Sequence, residues 1–392
     1  MTICFVCGEY PPYPHGGIGS MVQTLGRALV AAGHAVRVVG LYAGLPSPVR
    51  EADEGVEVWR LQEPRAWGGW IAGRCALFRC VKRWAERGEI DLVEVPDWQG
   101  WAAHWRRLPV PVVTRANGSA TYFAREMGRC ADRVTQHLER ASLRRSDVWC
   151  AVSRYTARRT QTLFGLRAAP AAILPNAVDD QAPAHFDART PGKVVFTGTL
   201  TEKKGVIPLL DAWPRVAREC PHATLHVIGK DGLAPGGGSM VEYLTARIEG
   251  DAARRVRFHG RVPRERVLAE LRTARVAVFP SFAEAFAIAP LEAMAVGCPT
   301  IGTALGSGPE LIDDGIDGLT VDPHHPGQIA QAICRLLGDE DWARQLGDRG
   351  RAKVERQFTW RVAVQANLEF FAACVARRRP RCVRVHASAS WV

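Results

Sequence analysis

Residues 3–41 run in one order: a short apolar stretch, a glycine-rich loop, an amphipathic helix and a second apolar stretch. The loop reads GEYPPYPHGGIG over 8–19, and Met21, Val22, Leu25, Leu29 and Val30 then recur at helical spacing, with Gly33 as the expected C-cap. A strand–loop–helix–strand order joins parallel strands, because a helix must carry the chain back across the sheet. The alternation continues with apolar runs at 91–95, 110–114 and 147–152, a basic helix at 133–146, and a helix opened by Ser153 as N-cap. A second series follows at 194–197, 224–228, 256–259, 276–279, 300–302 and 318–321. The expected fold class is α/β, with two Rossmann-like, doubly wound domains facing a cleft. Their expected spans are 1–176 and 193–357, joined by a polar linker over 177–192 that contains Pro183 and Pro191. A C-terminal helix at 358–376 follows, then a basic tail at 377–392 without apolar periodicity, expected to be disordered.

A chain of 392 residues with 47% apolar composition suits two domains of ordinary size. No stretch approaches the roughly 20 apolar residues of a membrane helix, and the start carries no signal-peptide pattern. The 11 cysteines are scattered, with no cluster at metal-ligand spacing, so reduced thiols and a cytoplasmic setting are expected. The net charge of +11 is uneven. Residues 1–180 hold 23 Lys and Arg against 17 Asp and Glu, residues 181–375 hold 23 of each, and the tail has five Arg. This basic half predicts peripheral contact with an anionic membrane face, with a solvated arginine-rich surface as the alternative; no nucleic-acid partner is expected.

In open parallel sheets, ligands bind beyond the carboxyl ends of the strands. The segment 279–302, FPSFAEAFAIAPLEAMAVGCPTIG, is such a place. Pro290 fits the first turn of a short helix, and Gly297 fits its end. The helix start and the N–H groups of Phe286, Ala287 and Ile288 form an expected phosphate site. Glu284 and Glu292 flank it. Ionised carboxylates accept hydrogen bonds from hydroxyl groups, so a sugar on one side and a ribose on the other suit this pair.

This segment, with its two glutamates eight apart and the flanking PS, EAMA and GCPTIG residues, resembles glycosyltransferase family 4. DLVEVPDWQG, VSRYT and LPNAVD resemble recurring segments of the same family, so the resemblance covers nearly the whole chain. It implies the GT-B architecture and retaining transfer of a hexose-type sugar from a nucleotide-diphosphate sugar, with no metal or other cofactor. The acceptor it implies is a glycan or a lipid-linked molecule, as in cell-surface polysaccharide or glycolipid synthesis. By the same resemblance, Gly16 and Gly17 let the backbone approach the donor phosphates. Lys204, in TGTLTEKKG, binds the diphosphate and acts with Glu284 in catalysis. Backbone groups near Arg261 and Val262 pack against the base. The chain departs from the family pattern at Thr199, where an Arg is usual, at Asn117, where a sugar-side His is usual, and at Ala287, where Gly is frequent. Two other readings stay open: a non-catalytic nucleotide-sugar binder, and an epimerase-like enzyme on the same fold. A dinucleotide oxidoreductase is disfavoured, since Val22 stands where the third glycine would fall and no acid ends the second strand.

Overall fold

The computed structural model describes residues 1–14, 16–64, 69–181 and 185–378. The opening unit is strand β1 (Thr2–Val6), helix α1 (Gly17–Ala31) and strand β2 (Ala35–Tyr42). After it come β3 (Val49–Asp53), β4 (Val56–Gln62), α2 (Gly69–Glu86), β5 (Leu92–Pro96), β6 (Val112–Ala116), α3 (Ala120–Glu126), α4 (Arg133–Arg145), β7 (Val148–Ala151) and α5 (Arg154–Phe164). The second half holds β8 (Lys193–Thr197), α6 (Val206–Glu219), β9 (Thr224–Ile228), α7 (Met240–Thr245), α8 (Gly250–Arg254), β10 (Val256–Gly260) and α9 (Arg264–Thr273). It continues with β11 (Val276–Val278), α10 (Ile288–Ala295), β12 (Thr300–Thr303), α11 (Gly308–Leu311), β13 (Leu319–Val321), α12 (Pro326–Gly338), α13 (Glu340–Gln357) and α14 (Trp360–Arg378).

Two sheets result. The first has seven strands in the order β3-β4-β2-β1-β5-β6-β7, and the second six in the order β10-β9-β8-β11-β12-β13. All pairs are parallel except β3 with β4. In each sheet the order reverses beside the first strand of its series, which opens a crevice at the carboxyl ends. The central strands are buried on both faces, as their continuous apolar runs require.

Two features had no counterpart in the sequence reading. β3 and β4 form an antiparallel hairpin on the sheet edge, turned by Glu54 and Gly55 at φ 48° and 86°. Glutamate is rare at a left-handed turn position, so the pair gives no turn signal of the Asn-Gly kind. Helix α2 was likewise unmarked.

The C-terminal helix does not stay with the second sheet. Phe370, Phe371 and Cys374 of α14 lie in the core of the first half, where the Phe371 ring meets that of Phe5 at 6.3 Å. Burying such side chains is worth about 1.5–3 kcal/mol each, enough to hold the helix there. Asn367 Oδ1 accepts from Arg115 Nη2 at 2.5 Å, and Arg115 is paired with Glu94 at 2.8 Å in a wholly buried cluster. The chain therefore crosses between halves twice, and the crossings meet: the Val178 N–H donates to the Phe358 carbonyl at 2.9 Å. The stretch expected as a polar linker is also anchored. Arg189, buried, donates to the carbonyls of Leu271, Arg272, Ala274 and Val296. Pro183 and residues 379–392 of the basic tail lie outside the described residues. Among the described residues no helix is long and apolar enough to cross a membrane.

Candidate active site

The loop between β11 and α10 carries Glu284, which is 8% exposed. Lys204 reaches it from the loop after β8: Nζ lies 2.6 Å from Glu284 Oε1, and Ser281 Oγ donates to the same oxygen at 2.9 Å. Gly205 makes this approach possible. At φ 71°, with any Cβ there only 1.7 Å from the Pro280 carbonyl oxygen, the turn after Lys204 can abut the Pro280–Ser281 backbone. The Phe282 N–H donates to the Lys203 carbonyl at 2.8 Å, which stitches the two loops together. Burial pushes the Glu284 carboxyl up, but Lys204 and Lys203 outweigh it and hold the group below the usual carboxylate range. Glu284 is thus ionised at neutral pH.

Glu292, in the first turns of α10, has the opposite balance. Burial raises it above the ordinary value, and Arg264 only partly offsets this. Arg264 Nε lies 3.0 Å from Glu292 Oε1, and its Nη1 lies 2.8 Å from Asp179 Oδ2. The stretch whose backbone is expected to meet the base has Arg261 exposed and Val262 partly buried, and three residues on from Arg261, Arg264 places its guanidinium on Glu292. Among the described residues, the N–H groups of Phe286, Ala287 and Ile288 donate to no protein acceptor.

On the facing half, the Gly16 N–H, expected to stand open beside the donor phosphates, is taken up, as is that of Gly19 at the start of α1. The Glu9 carboxylate accepts from both, at 3.2 and 2.8 Å. A carboxylate satisfies the orphan donors and positive dipole of a helix start as a phosphate would. Gly17 has open space where a Cβ would project. Asn117 is half-buried after β6, and its N–H donates to Asp97 Oδ1 at 2.9 Å. Asp97 is fully buried, its second oxygen has no hydrogen-bond partner, and burial pushes its carboxyl up to about 8. Thr199 stands exposed at the end of β8, while Lys203 places Nζ 3.6 Å from the centre of the Phe123 ring across the cleft.

No local sequence signal marks how the first half is bonded to this loop. The Tyr122 hydroxyl donates to the Glu284 carbonyl at 2.9 Å. The hydroxyls of Ser153 and Thr156 lie 2.8 and 2.9 Å from the Ala285 carbonyl, and Asn176 Nδ2 donates to the Phe286 carbonyl at 2.8 Å. In return, Glu310 accepts from the N–H groups of Arg154 and Tyr155 at the start of α5. The cavity enclosed by Lys204, Ser281, Glu284, Ala287, Thr303 and Ser307 is only about 30 Å³. Small-molecule sites are roughly ten times larger or more, and every residue that lines this one belongs to the second half.

Two facing parallel α/β halves, with paired charges and a helix start at the cleft, define a glycosyltransferase of the GT-B type. The family model described as "Glycosyl transferases group 1" matches residues 191–339, and that described as "Glycosyltransferase Family 4" matches residues 15–182. The glycogen synthase of Mycobacterium tuberculosis is 29% identical over 97% of both chains. Sucrose-phosphate synthase from Thermosynechococcus elongatus superposes with TM-score 0.79 at 21% identity, covering 96% of this chain and 100% of that one. Anabaena HepE, solved with UDP and glucose, superposes with TM-score 0.71 at 18% identity, covering 95% of this chain and 100% of that one. The chain belongs to the family 4 glycosyltransferases.

Proposed function

We propose that this enzyme moves a hexose-type sugar, with retention of configuration, from a nucleotide-diphosphate sugar to a glycan or lipid-linked acceptor. The observation that carries this reading is the meeting of Lys204 and Glu284 beside the unpaired N–H groups at the start of α10. Lys204 and those N–H groups bind the diphosphate and stabilise its charge as it departs. Glu284, ionised, accepts from hydroxyls of the transferred sugar, and Glu292 accepts from the ribose diol. Backbone groups near Arg261 and Val262 hold the base. Gly16 and Gly17 receive the phosphates once Glu9 swings away, and Asn117 hydrogen-bonds a sugar hydroxyl. Transfer is front-face, with the departing phosphate charge stabilised electrostatically. In this reading the departing charge is met by Lys204 and the backbone N–H groups, and no metal takes part.

The ten described cysteines are free thiols, which fits a cytoplasmic setting. The arginine-rich N-terminal half fits reversible contact with an anionic membrane where the acceptor is lipid-linked. The deciding experiment is donor hydrolysis and transfer by purified protein across a panel of nucleotide sugars, set beside Glu284→Ala. Equal activity in both proteins would refute the site. No turnover by either, with intact nucleotide-sugar binding, would favour a non-catalytic binder. An inverted product would exclude front-face transfer, and loss of activity on chelation with recovery in Mg²⁺ or Mn²⁺ would exclude the metal-free reaction.

A further inference from the structure

A second cavity lies at the other end of the first sheet. Strand β7 begins at this cavity, at Val148, and ends at Ala151, two residues before Ser153 at the cleft, so the two sites sit at opposite ends of one strand. The cavity measures about 490 Å³, within the range of small-molecule sites. Its lining brings together residues from four places in the chain: Arg144 at the end of α4, Asp147 just before β7 with Trp149 on it, Arg167 after α5, and Arg377 in the last turn of α14.

Three arginines and one aspartate thus line the same cavity. Asp147 is already engaged, with Oδ2 accepting the Val112 N–H at 2.9 Å. An arginine near a helix end commonly serves only the orphan carbonyls there, and Arg144 does so in part, with Nη2 3.4 Å from the Gly165 carbonyl oxygen. Arg167 and Arg377 are not explained that way. Both are exposed, and among the described residues neither forms an ion pair. Trp149 is buried, and its indole N–H is spent on the Ala168 carbonyl at 3.1 Å, leaving a fixed apolar wall beside the cations. Guanidinium groups lining one cavity suit the oxygens of a phosphate, which take paired N–H donors. Part of the arginine density of the N-terminal half is therefore gathered into a cavity and not spread over a flat face.

We propose that this cavity is a second anion site, which takes a phosphate-bearing ligand through Arg144, Arg167 and Arg377. The phosphate belongs to a soluble compound or to a lipid headgroup; both present the same dianionic oxygens. Because Arg377 comes from the last turn of α14, a bound phosphate fastens the end of the chain's final helix to β7. The proposal is independent of the transferase reading of the cleft.

The test uses the full chain and two probes. Titration calorimetry with pyrophosphate at about 0.15 M salt is run on the parent protein, on Arg167→Ala/Arg377→Ala and on Lys204→Ala. Both arginines are exposed, so the double variant should fold. Expected is a loss of affinity of at least about tenfold in the double variant, with binding kept in Lys204→Ala. The reverse pattern places pyrophosphate in the donor cleft and overturns the proposal, as does binding indifferent to both changes. In the second arm the proteins are sedimented with phosphatidylcholine vesicles with and without phosphatidic acid. Pelleting that needs phosphatidic acid and is lost in the double variant assigns the ligand to a headgroup; pyrophosphate binding without such pelleting assigns it to a soluble phosphate. If neither probe distinguishes parent from double variant, the site does not exist.

Discussion

Lys204 Nζ lies 2.6 Å from Glu284 Oε1, although the two residues come from different strand-end loops, 80 positions apart in the chain. The lysine that would meet the donor diphosphate and the carboxylate that would meet the sugar thus neutralise one another. Neither is left as an uncompensated charge, which would be strongly destabilising at this depth.

The pair sets a pH dependence. Glu284 has a folded value below the ordinary one, despite its burial, because of Lys204 and Lys203. Its contribution is therefore complete above about pH 4.3, the unfolded value, and is lost as pH falls through the lower folded value. Lys204→Ala should cost about 1.5–3 kcal/mol near neutral pH, and this deficit should shrink below about pH 4. Thermal unfolding of both proteins between those limits measures it; a deficit that grows in acid would contradict the assignment.

Glu292 predicts the reverse sign. Burial holds it above the ordinary carboxylate range, so its protonated form stabilises the fold at low pH and that contribution is lost as pH rises through the folded value. Glu292→Gln should leave the free protein at least as stable as the parent at neutral pH, while weakening nucleoside-diphosphate binding by about 1–3 kcal/mol. Calorimetric affinity beside a melting curve separates the two effects. A variant that melts well below the parent and binds normally would reverse the argument.

Domain closure rests on few atoms. Tyr122→Phe removes the hydroxyl that donates to the Glu284 carbonyl, leaving only Ser307 Oγ at a longer 3.3 Å. The expected cost is about 0.5–1.5 kcal/mol in urea unfolding. Ser153→Ala should cost more, since Ser153 both caps α5 through the Thr156 N–H and serves the Ala285 carbonyl. Equal stability of both variants with the parent would mean that the hydroxyls do not hold the loop.

The buried cluster that joins α14 to the first sheet should respond most sharply. Glu94→Ala leaves the Arg115 guanidinium without its carboxylate in a site where both side chains are 3% exposed. Breaking a buried pair costs about 3–5 kcal/mol, and α14 should loosen with it. Hydrogen exchange in residues 360–378 provides the readout. A loss of stability without faster exchange there would mean that α14 is held by Phe370 and Phe371 alone.

The sequence by itself determined most strands of the two series, several of the helices between them, and the loop that places Glu284 and Glu292 around a helix start. These follow from signals within a dozen residues: apolar runs, helical spacing, Pro290 inside the first turn of α10 and Gly297 at its end. Such signals depend on local backbone geometry and burial, which neighbouring residues set. What only the tertiary structure decided is how the loops meet. Tyr122 and Glu284 are 162 positions apart, and Arg115 and Asn367 are 252 apart. Nothing in TYF or in QANLEF marks a partner at that distance. Glu9 at the start of α1, Arg264 on Glu292, and the gathering of Arg144, Arg167 and Arg377 were hidden for the same reason. A hydrogen bond or an ion pair is specified by three-dimensional proximity, and proximity between remote loops exists only once both sheets have formed and α14 has folded back across them.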